Sequence, residues 1–357
     1  MEKLKIAVYI PSIYGGGSER FAVVFCRGLA DRGYEVYLLT GPRKEGEFEV
    51  AKNVCRIILH TDMNFFKNVK ALREFLIGAN IDICVAVGIY PNLVAAATNS
   101  SSLRTRIVLS ERNAPKQDHL SWRTRLLRML LYQRGDAFAF QTPGARAFYS
   151  KRIQARSMVI ANPLKEGLPK RTGVCKKRIV AVGRLRPQKN YPLLLTAFAD
   201  VCKYNEDYTL HIYGQGMLEP ELKSCAARLN ISDRVVFEGF SNNVHEKIKD
   251  ADIYVMTSDF EGLSNALMEA MAMGFPVIST NCPAGGPCML IENGINGLLV
   301  PVGDKNALTD AILYLITHPD YKEQLAKRAA ESSVHYSMYN IIGEWVSFLQ
   351  NIRLKAF

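Results

Sequence analysis

No run of about 18 apolar residues occurs in this chain, so none of its segments can cross a bilayer as a helix. Cysteine pairs at metal or redox spacing are also missing. The eight cysteines (Cys26, Cys55, Cys84, Cys175, Cys202, Cys225, Cys282 and Cys288) are scattered without a Cys-x-x-Cys, which excludes a disulfide framework and a zinc site. Buried thiols in a reducing, cytosolic compartment are the expectation. The six histidines show no ligand spacing. Neither a short-period repeat nor a low-complexity stretch occurs. The opening MEKLKIAVYIPS does not have the form of a signal peptide, because its apolar stretch is short and runs into Pro11 and a glycine loop. It predicts a first core strand. Acidic residues are scarce in one half only. Residues 1–168 hold 25 Lys and Arg against 14 Asp and Glu, the remainder holds 20 of each, and the whole net charge of +11 therefore lies in the N-terminal half. An anionic partner is expected there: a lipid surface, a diphosphate or a nucleic acid.

With 357 residues and 48% hydrophobic composition, the chain can bury two cores. Short apolar runs alternate with helix-length segments. Strands are predicted at Lys5–Ile10, Glu35–Leu39, Asp82–Val87, Arg106–Leu109, Ala137–Gln141 and Met158–Ile160, then at Arg178–Val182, Thr209–Tyr213, Val235–Glu238, Ile253–Met256 and Val277–Ser279. Their hydrophobicity is continuous instead of alternating, as in sheets covered on both faces by helices. Two doubly wound α/β domains follow. The proline, glycine and charge of Asn162–Arg178 suggest a boundary, giving domains at 1–168 and 169–335, with a last helix in 336–357.

Three motifs carry chemistry. Gly15-Gly16-Gly17-Ser18-Glu19-Arg20 closes the first strand and opens a helix, where backbone N–H groups can approach an anion. It is not a G-x-G-x-x-G loop, and the second strand ends in Thr40-Gly41-Pro42-Arg43 without the ribose carboxylate of a dehydrogenase. A phosphate or sugar loop and a plain tight turn both remain open. In Gly183-Arg184-Leu185-Arg186-Pro187-Gln188-Lys189-Asn190, Arg184 and Lys189 leave the same strand-to-helix loop, at the sheet edge where α/β proteins bind ligands. Two cations there suit a diphosphate, as substrate and as leaving group; a solvated basic loop is the alternative. In Ser258–Ala270, Ser264 or Asn265 can cap a helix, and Glu269 lies in an otherwise apolar helix that ends at Gly274. A carboxylate in such a place needs a partner or a ligand.

In this order and at these separations, Gly-Gly-Gly-Ser-Glu-Arg, Gly-Arg-x₄-Lys-Asn and Glu-Gly-Leu-x-Asn-x₃-Glu resemble glycosyltransferase family 4 across essentially the whole chain. The resemblance implies a retaining enzyme of the GT-B fold: two facing Rossmann-like domains with a central cleft, and a C-terminal helix returning to the first domain. It implies that Arg184 and Lys189 bind the donor diphosphate and stabilise the departing nucleotide. Glu261 would contact donor sugar hydroxyls, with Gly183 and with Gly262, Leu263, Ser264, Asn265 and Ala266 at the sugar and phosphate. Glu269 would hold the ribose, Gly239 and Phe240 would line the base, and Gly16 and Gly17 would approach from the first domain. Many relatives carry Ser-Glu-His where this chain has Ser110-Glu111-Arg112-Asn113. Arginine is no base at neutral pH, so Glu111 or Arg112 is expected to position the reactants instead.

No metal is expected. Asp250-Ala251-Asp252 precedes a strand, away from the ligand edge, and reads as structural. On the acceptor side, Lys67, Lys70 and Arg73 are spaced for one helix face and resemble a cationic stripe of relatives that extend lipid-linked oligosaccharides. Trp122–Tyr132 is basic, aromatic and amphipathic, with Arg123, Arg125 and Arg128. Two ordinary helices packed on a sheet would read the same way. The expectation is a UDP-sugar donor, carrying a hexose or N-acetylhexosamine, and a glycan acceptor on polyprenyl diphosphate at the inner leaflet of the cytoplasmic membrane. A soluble acceptor or another nucleotide is the alternative. Nucleic acid is not expected, because the basic residues lie among core-type helices without a recognition motif.

Overall fold

The computed structural model describes residues 4–59, 64–112, 115, 120–172 and 176–354. The chain forms two units, the first from 1–163 together with 338–357 and the second from 164–337.

The first unit begins β1 (Lys5–Tyr9), α1 (Gly17–Ala30), β2 (Glu35–Thr40), β3 (Cys55–Ile58), α2 (Phe65–Gly78), β4 (Ile83–Val87) and α3 (Ile89–Thr98). It continues β5 (Arg106–Glu111), α4 (Trp122–Tyr132), β6 (Ala137–Phe140), α5 (Pro143–Ala147), α6 (Lys151–Ala155) and β7 (Ser157–Val159). All seven strands are parallel, in the order β3-β2-β1-β4-β5-β6-β7. The central strands are buried along nearly their whole length, as their unbroken apolar sequences require.

The second unit contains β8 (Arg178–Val182), α7 (Tyr191–Tyr204), β9 (Thr209–Tyr213), α8 (Glu219–Arg228), β10 (Val235–Gly239), α9 (Val244–Ile248) and β11 (Ile253–Met256). Then follow α10 (Asn265–Met273), β12 (Val277–Thr280), α11 (Gly286–Leu290), β13 (Leu298–Val300), α12 (Lys305–Thr317) and α13 (Pro319–Ser333). Its six strands are also all parallel, in the order β10-β9-β8-β11-β12-β13. The chain reverses direction of growth between β8 and β11, which opens a crevice at their carboxyl ends.

Helix α14 (Met338–Leu354) then completes the first unit. Trp345 is fully buried and packs against Phe21 and Phe25 of α1, with ring centroids 5.8 and 4.7 Å away. The two helices touch at Gly28, where a Cβ would come within 2.7 Å of Ile342. Judged by truncation, a buried aromatic of this kind contributes about 3–5 kcal/mol.

The division at 163/164 falls within the expected boundary segment, and the residues after it are bonded into the second unit: Leu164 N–H donates to Tyr336 O, Arg171 N–H to Met273 O and Thr172 N–H to Lys249 O. Two expectations need correction. Strands β3 and β13, which the strand assignment from sequence left out, extend the two sheets. The thiols are not all buried: Cys55 and Cys288 are exposed, while Cys175, like Asn113, lies outside the described residues.

Candidate active site

At the β8–β11 crevice, two loops are stitched together before any ligand is considered. Asn190 takes a left-handed φ of 44°, accepts from Leu193 N–H at 3.3 Å to cap α7, and donates through Nδ2 to Asp259 Oδ1 at 2.7 Å. Gln188 Nε2 donates to Phe260 O at 2.9 Å, Asp259 N–H returns to Gln188 O at 2.9 Å, and Thr257 Oγ1 donates to Lys189 O at 2.9 Å. This latch fixes Lys189 opposite Glu261, and the two form an ion pair. Ser258 Oγ donates to the same Glu261 Oε1 at 3.0 Å. The pair is largely withdrawn from water, with side chains 17% and 11% exposed, so its charges interact more strongly than a surface pair would. Arg184, on the same loop as Lys189, is exposed and has no ion pair or side-chain hydrogen bond among the described residues.

Backbone approach is unusually close around this pair. A Cβ at Gly214, after β9, would fall 1.9 Å from Gly183 O, and one at Gly286 would fall 1.7 Å from Gly262 O. Only glycine permits either contact. The loop before α11 thus presses on Glu261 and Gly262, and Glu261 N–H donates to Pro283 O at 3.4 Å. Burial, reinforced by the charge of Glu261, pushes the Cys282 thiol in that loop up to about 12.

Helix α10 begins at Ser264, whose Oγ accepts from Leu267 N–H at 3.4 Å, and stops at Gly274 in the left-handed region. Leu263 and Ser264 are buried, whereas Gly262, Asn265 and Ala266 are half-buried at the start of this helix. The partner demanded by Glu269 is His245 of α9, Nε2 to Oε2 at 2.8 Å. A register shift in β10 between Phe237 and Gly239, with Gly239 at φ +70°, carries the chain out to an exposed Phe240.

In the first unit, Gly16 is the N-cap of α1, with Gly17 the first helical residue. The carboxylate of Glu19 lies against this start: a Cβ at Gly16 would meet Glu19 Oε2 at 2.0 Å. Glu111 is buried, and its Oε2 accepts from Tyr132 and Tyr149, each at 3.0 Å. These two bonds tie Glu111, expected with Arg112 to position the reactants, to α4 and to the chain after α5. Arg112 is buried, pairs with Asn162, and lies 3.7 Å from the Phe21 ring centroid. Loss of hydration on burial lowers its pKa to about 9, against the opposing charge of Glu111.

The two cationic faces also change. Lys67 and Lys70 are exposed on α2, with Lys70 3.9 Å from Glu74. Arg73 instead turns to Thr98 O, Ser100 Oγ and Ser102 Oγ at 3.2, 2.8 and 2.9 Å and braces the chain after α3. On α4, Arg123 and Arg125 are exposed but Arg128 is buried. Spacing alone could not separate these two residues from their neighbours, because their partners are oxygens and rings of other segments: Thr98, Ser100 and Ser102 for Arg73, Pro115 and Phe148 for Arg128.

Asp252 of the Asp-x-Asp accepts from Tyr208 and Lys322 at 2.5 and 2.7 Å and lies 3.9 Å from Arg171. Asp250 pairs with Lys176 and Arg178. Both carboxylates are taken up internally.

Sequence reasoning missed Ser258, Gln188, Asn190 and His245. Only Asn190 left a signal, directly before the helix-opening Tyr191-Pro192.

Residues 15–165 match the family profile Glycosyltransferase Family 4, and residues 169–332 match Glycosyl transferases group 1. A Haemophilus influenzae protein, described only as an uncharacterized glycosyltransferase, is 27% identical over 97% of this chain and 99% of its own. An N-acetylgalactosamine-N,N'-diacetylbacillosaminyl-diphospho-undecaprenol 4-alpha-N-acetylgalactosaminyltransferase of Campylobacter jejuni is 24% identical over the same shares. Among solved structures, Anabaena HepE in complex with UDP superposes with a TM-score of 0.82 at 18% identity, covering 98% of this chain and 100% of that one. Sucrose-phosphate synthase of Thermosynechococcus elongatus gives 0.84 at 17%, covering 98% and 99%. The paired parallel sheets and these likenesses define a GT-B glycosyltransferase. More narrowly, the chain is a glycosyltransferase with a family 4 domain followed by a group 1 domain.

Proposed function

We propose that this enzyme transfers a hexose or N-acetylhexosamine from a UDP-sugar to a glycan carried on polyprenyl diphosphate, with retention of configuration and without a metal, at the inner leaflet of the cytoplasmic membrane. The observation that carries the donor half is the Lys189–Glu261 pair, latched at the β8–β11 crevice on the same loop as the exposed Arg184. Arg184 and Lys189 supply positive charge for a diphosphate, and Glu261 supplies an acceptor for sugar hydroxyls. The bond from the anomeric carbon to the diphosphate breaks, one to the acceptor oxygen forms on the same face, and the acceptor proton passes to the leaving diphosphate. Glu269 takes the ribose hydroxyls, and Phe240 stacks on the base. The likeness to the UDP complex of HepE and to the Campylobacter diphospho-undecaprenol N-acetylgalactosaminyltransferase favours this donor and this acceptor. So does the surplus of basic residues in 1–168.

Thermal melting with nucleoside diphosphates, with and without EDTA, tests the donor half. UDP is expected to raise the Tm more than GDP or ADP do, by an amount that EDTA leaves unchanged. An equal response to all three, or a shift that EDTA removes, rejects the reading.

His245 is a positioning residue in this scheme, since its bond to Oε2 leaves Glu269 turned one way. His245→Ala is expected to raise the donor KM about three- to tenfold with kcat nearly unchanged, and His245→Gln to recover part of the loss. A fall in kcat at constant KM would contradict that role.

A further inference from the structure

Helix α4 is turned inside out for a helix lying on a sheet. Its buried residues are Arg128 and Tyr132, whereas Trp122, Leu126, Met129 and Leu130 are 70%, 49%, 67% and 62% exposed. These four follow at steps of four, three and one, which puts them in a single stripe along one face of the helix. Arg123 and Arg125 fall on the two sides of that stripe, and both are exposed.

The inward orientation is fixed by polar bonds. Arg128 lies 5.1 Å from the Phe148 ring centroid and donates to Pro115 O at 3.4 Å, while the Tyr132 hydroxyl accepts from Asn92 at 3.0 Å and donates to Glu111. The helix therefore cannot roll its apolar stripe inward without breaking the bonds of Tyr132 to Asn92 and Glu111 and that of Arg128 to Pro115.

An apolar stripe of this size needs a cover. The helix carries three arginines and no acidic residue, and it belongs to the half of the chain that holds all the excess positive charge. Apolar residues between two flanking guanidiniums match the depth profile of a lipid leaflet, with acyl chains below and phosphates beside.

We propose that α4 lies in the surface of an anionic lipid leaflet, with Trp122, Leu126, Met129 and Leu130 entering the acyl region and Arg123 and Arg125 on the headgroup phosphates. The inference deepens the membrane-bound acceptor reading, on which it rests for its purpose.

The chain reports on its own insertion. It has two tryptophans, and Trp345 is fully buried, so emission that responds to lipid comes from Trp122. Full-length protein is mixed with phosphatidylcholine vesicles, with and without phosphatidylglycerol, and followed by emission and co-sedimentation. A blue shift and pelleting with the anionic vesicles are expected. Leu126→Glu, Met129→Glu and Leu130→Glu together should weaken partitioning at least about tenfold, with an unchanged Tm and an unchanged UDP response. Equal partitioning of parent and triple variant would overturn the inference, as would a parent dimer that the variant splits into monomers with no vesicle binding. Equal binding to both vesicle types would overturn the anionic part. Intact vesicle binding without preference for a polyprenyl-diphosphate glycan over the same free glycan would leave α4 as inferred and reject the acceptor reading.

Discussion

Replacing Glu261 by glutamine is expected to lower turnover about 10³-fold while UDP affinity stays within several-fold of the parent. The amide keeps the size and one oxygen of the carboxylate, so the latch between the two loops survives: its bonds run through Gln188, Asn190, Thr257 and Asp259 and not through the Glu261 side chain. Charge is what disappears. Lys189 is then released from its ion pair and remains available to a diphosphate, which keeps nucleotide binding in place. The sugar, by contrast, loses its negatively charged hydrogen-bond acceptor during departure. Steady-state transfer measured beside UDP titration separates the two effects. Parental turnover would remove Glu261 from the chemistry, and equal loss of binding and turnover would mean that the loop had collapsed.

Lys189→Ala should do the opposite and hurt in two ways. It leaves the Glu261 carboxylate mostly buried with the Ser258 hydroxyl as its remaining side-chain partner among the described residues, a cost of about 2–4 kcal/mol that appears as a lower Tm. It also removes half of the charge meant for the diphosphate, so the UDP-dependent rise in Tm should largely vanish and kcat/KM should fall about 10²–10³-fold. Lys189→Arg retains the charge but carries a planar fork in place of a point donor, and it should restore stability better than turnover. A Lys189→Ala protein that melts like the parent and still responds fully to UDP would show that the pair is ornamental.

Much of this site was legible beforehand, for physical reasons that can be named. Central strands are covered on both faces, so Arg178–Val182 and Ile253–Met256 could be read to the residue from their apolar runs. The edge strand β3 has no such signature. Cys55–Ile58 is half-exposed and pairs only with β2, and its Arg56 is occupied by Thr40 and Glu47. For Glu269, an apolar helix demanded a partner, but nothing in the sequence pointed to His245, 24 residues earlier on another element. Helical spacing grouped Lys67, Lys70 and Arg73, and likewise Arg123, Arg125 and Arg128. It could not say which member of each group turns inward, because that depends on oxygens and rings supplied by α3, α5 and the loops after them.

The return of α14 to the first unit has a consequence for synthesis on the ribosome. Domains ordinarily fold in the order in which they emerge. Here the first unit reaches the exit tunnel first and yet lacks the indole that fills the space beside Phe21 and Phe25 until residue 345 has been made. The second unit, continuous from 164 to 337, has all its strands before that moment. The half that starts first is finished last, and until then it waits with an open aromatic seam on α1.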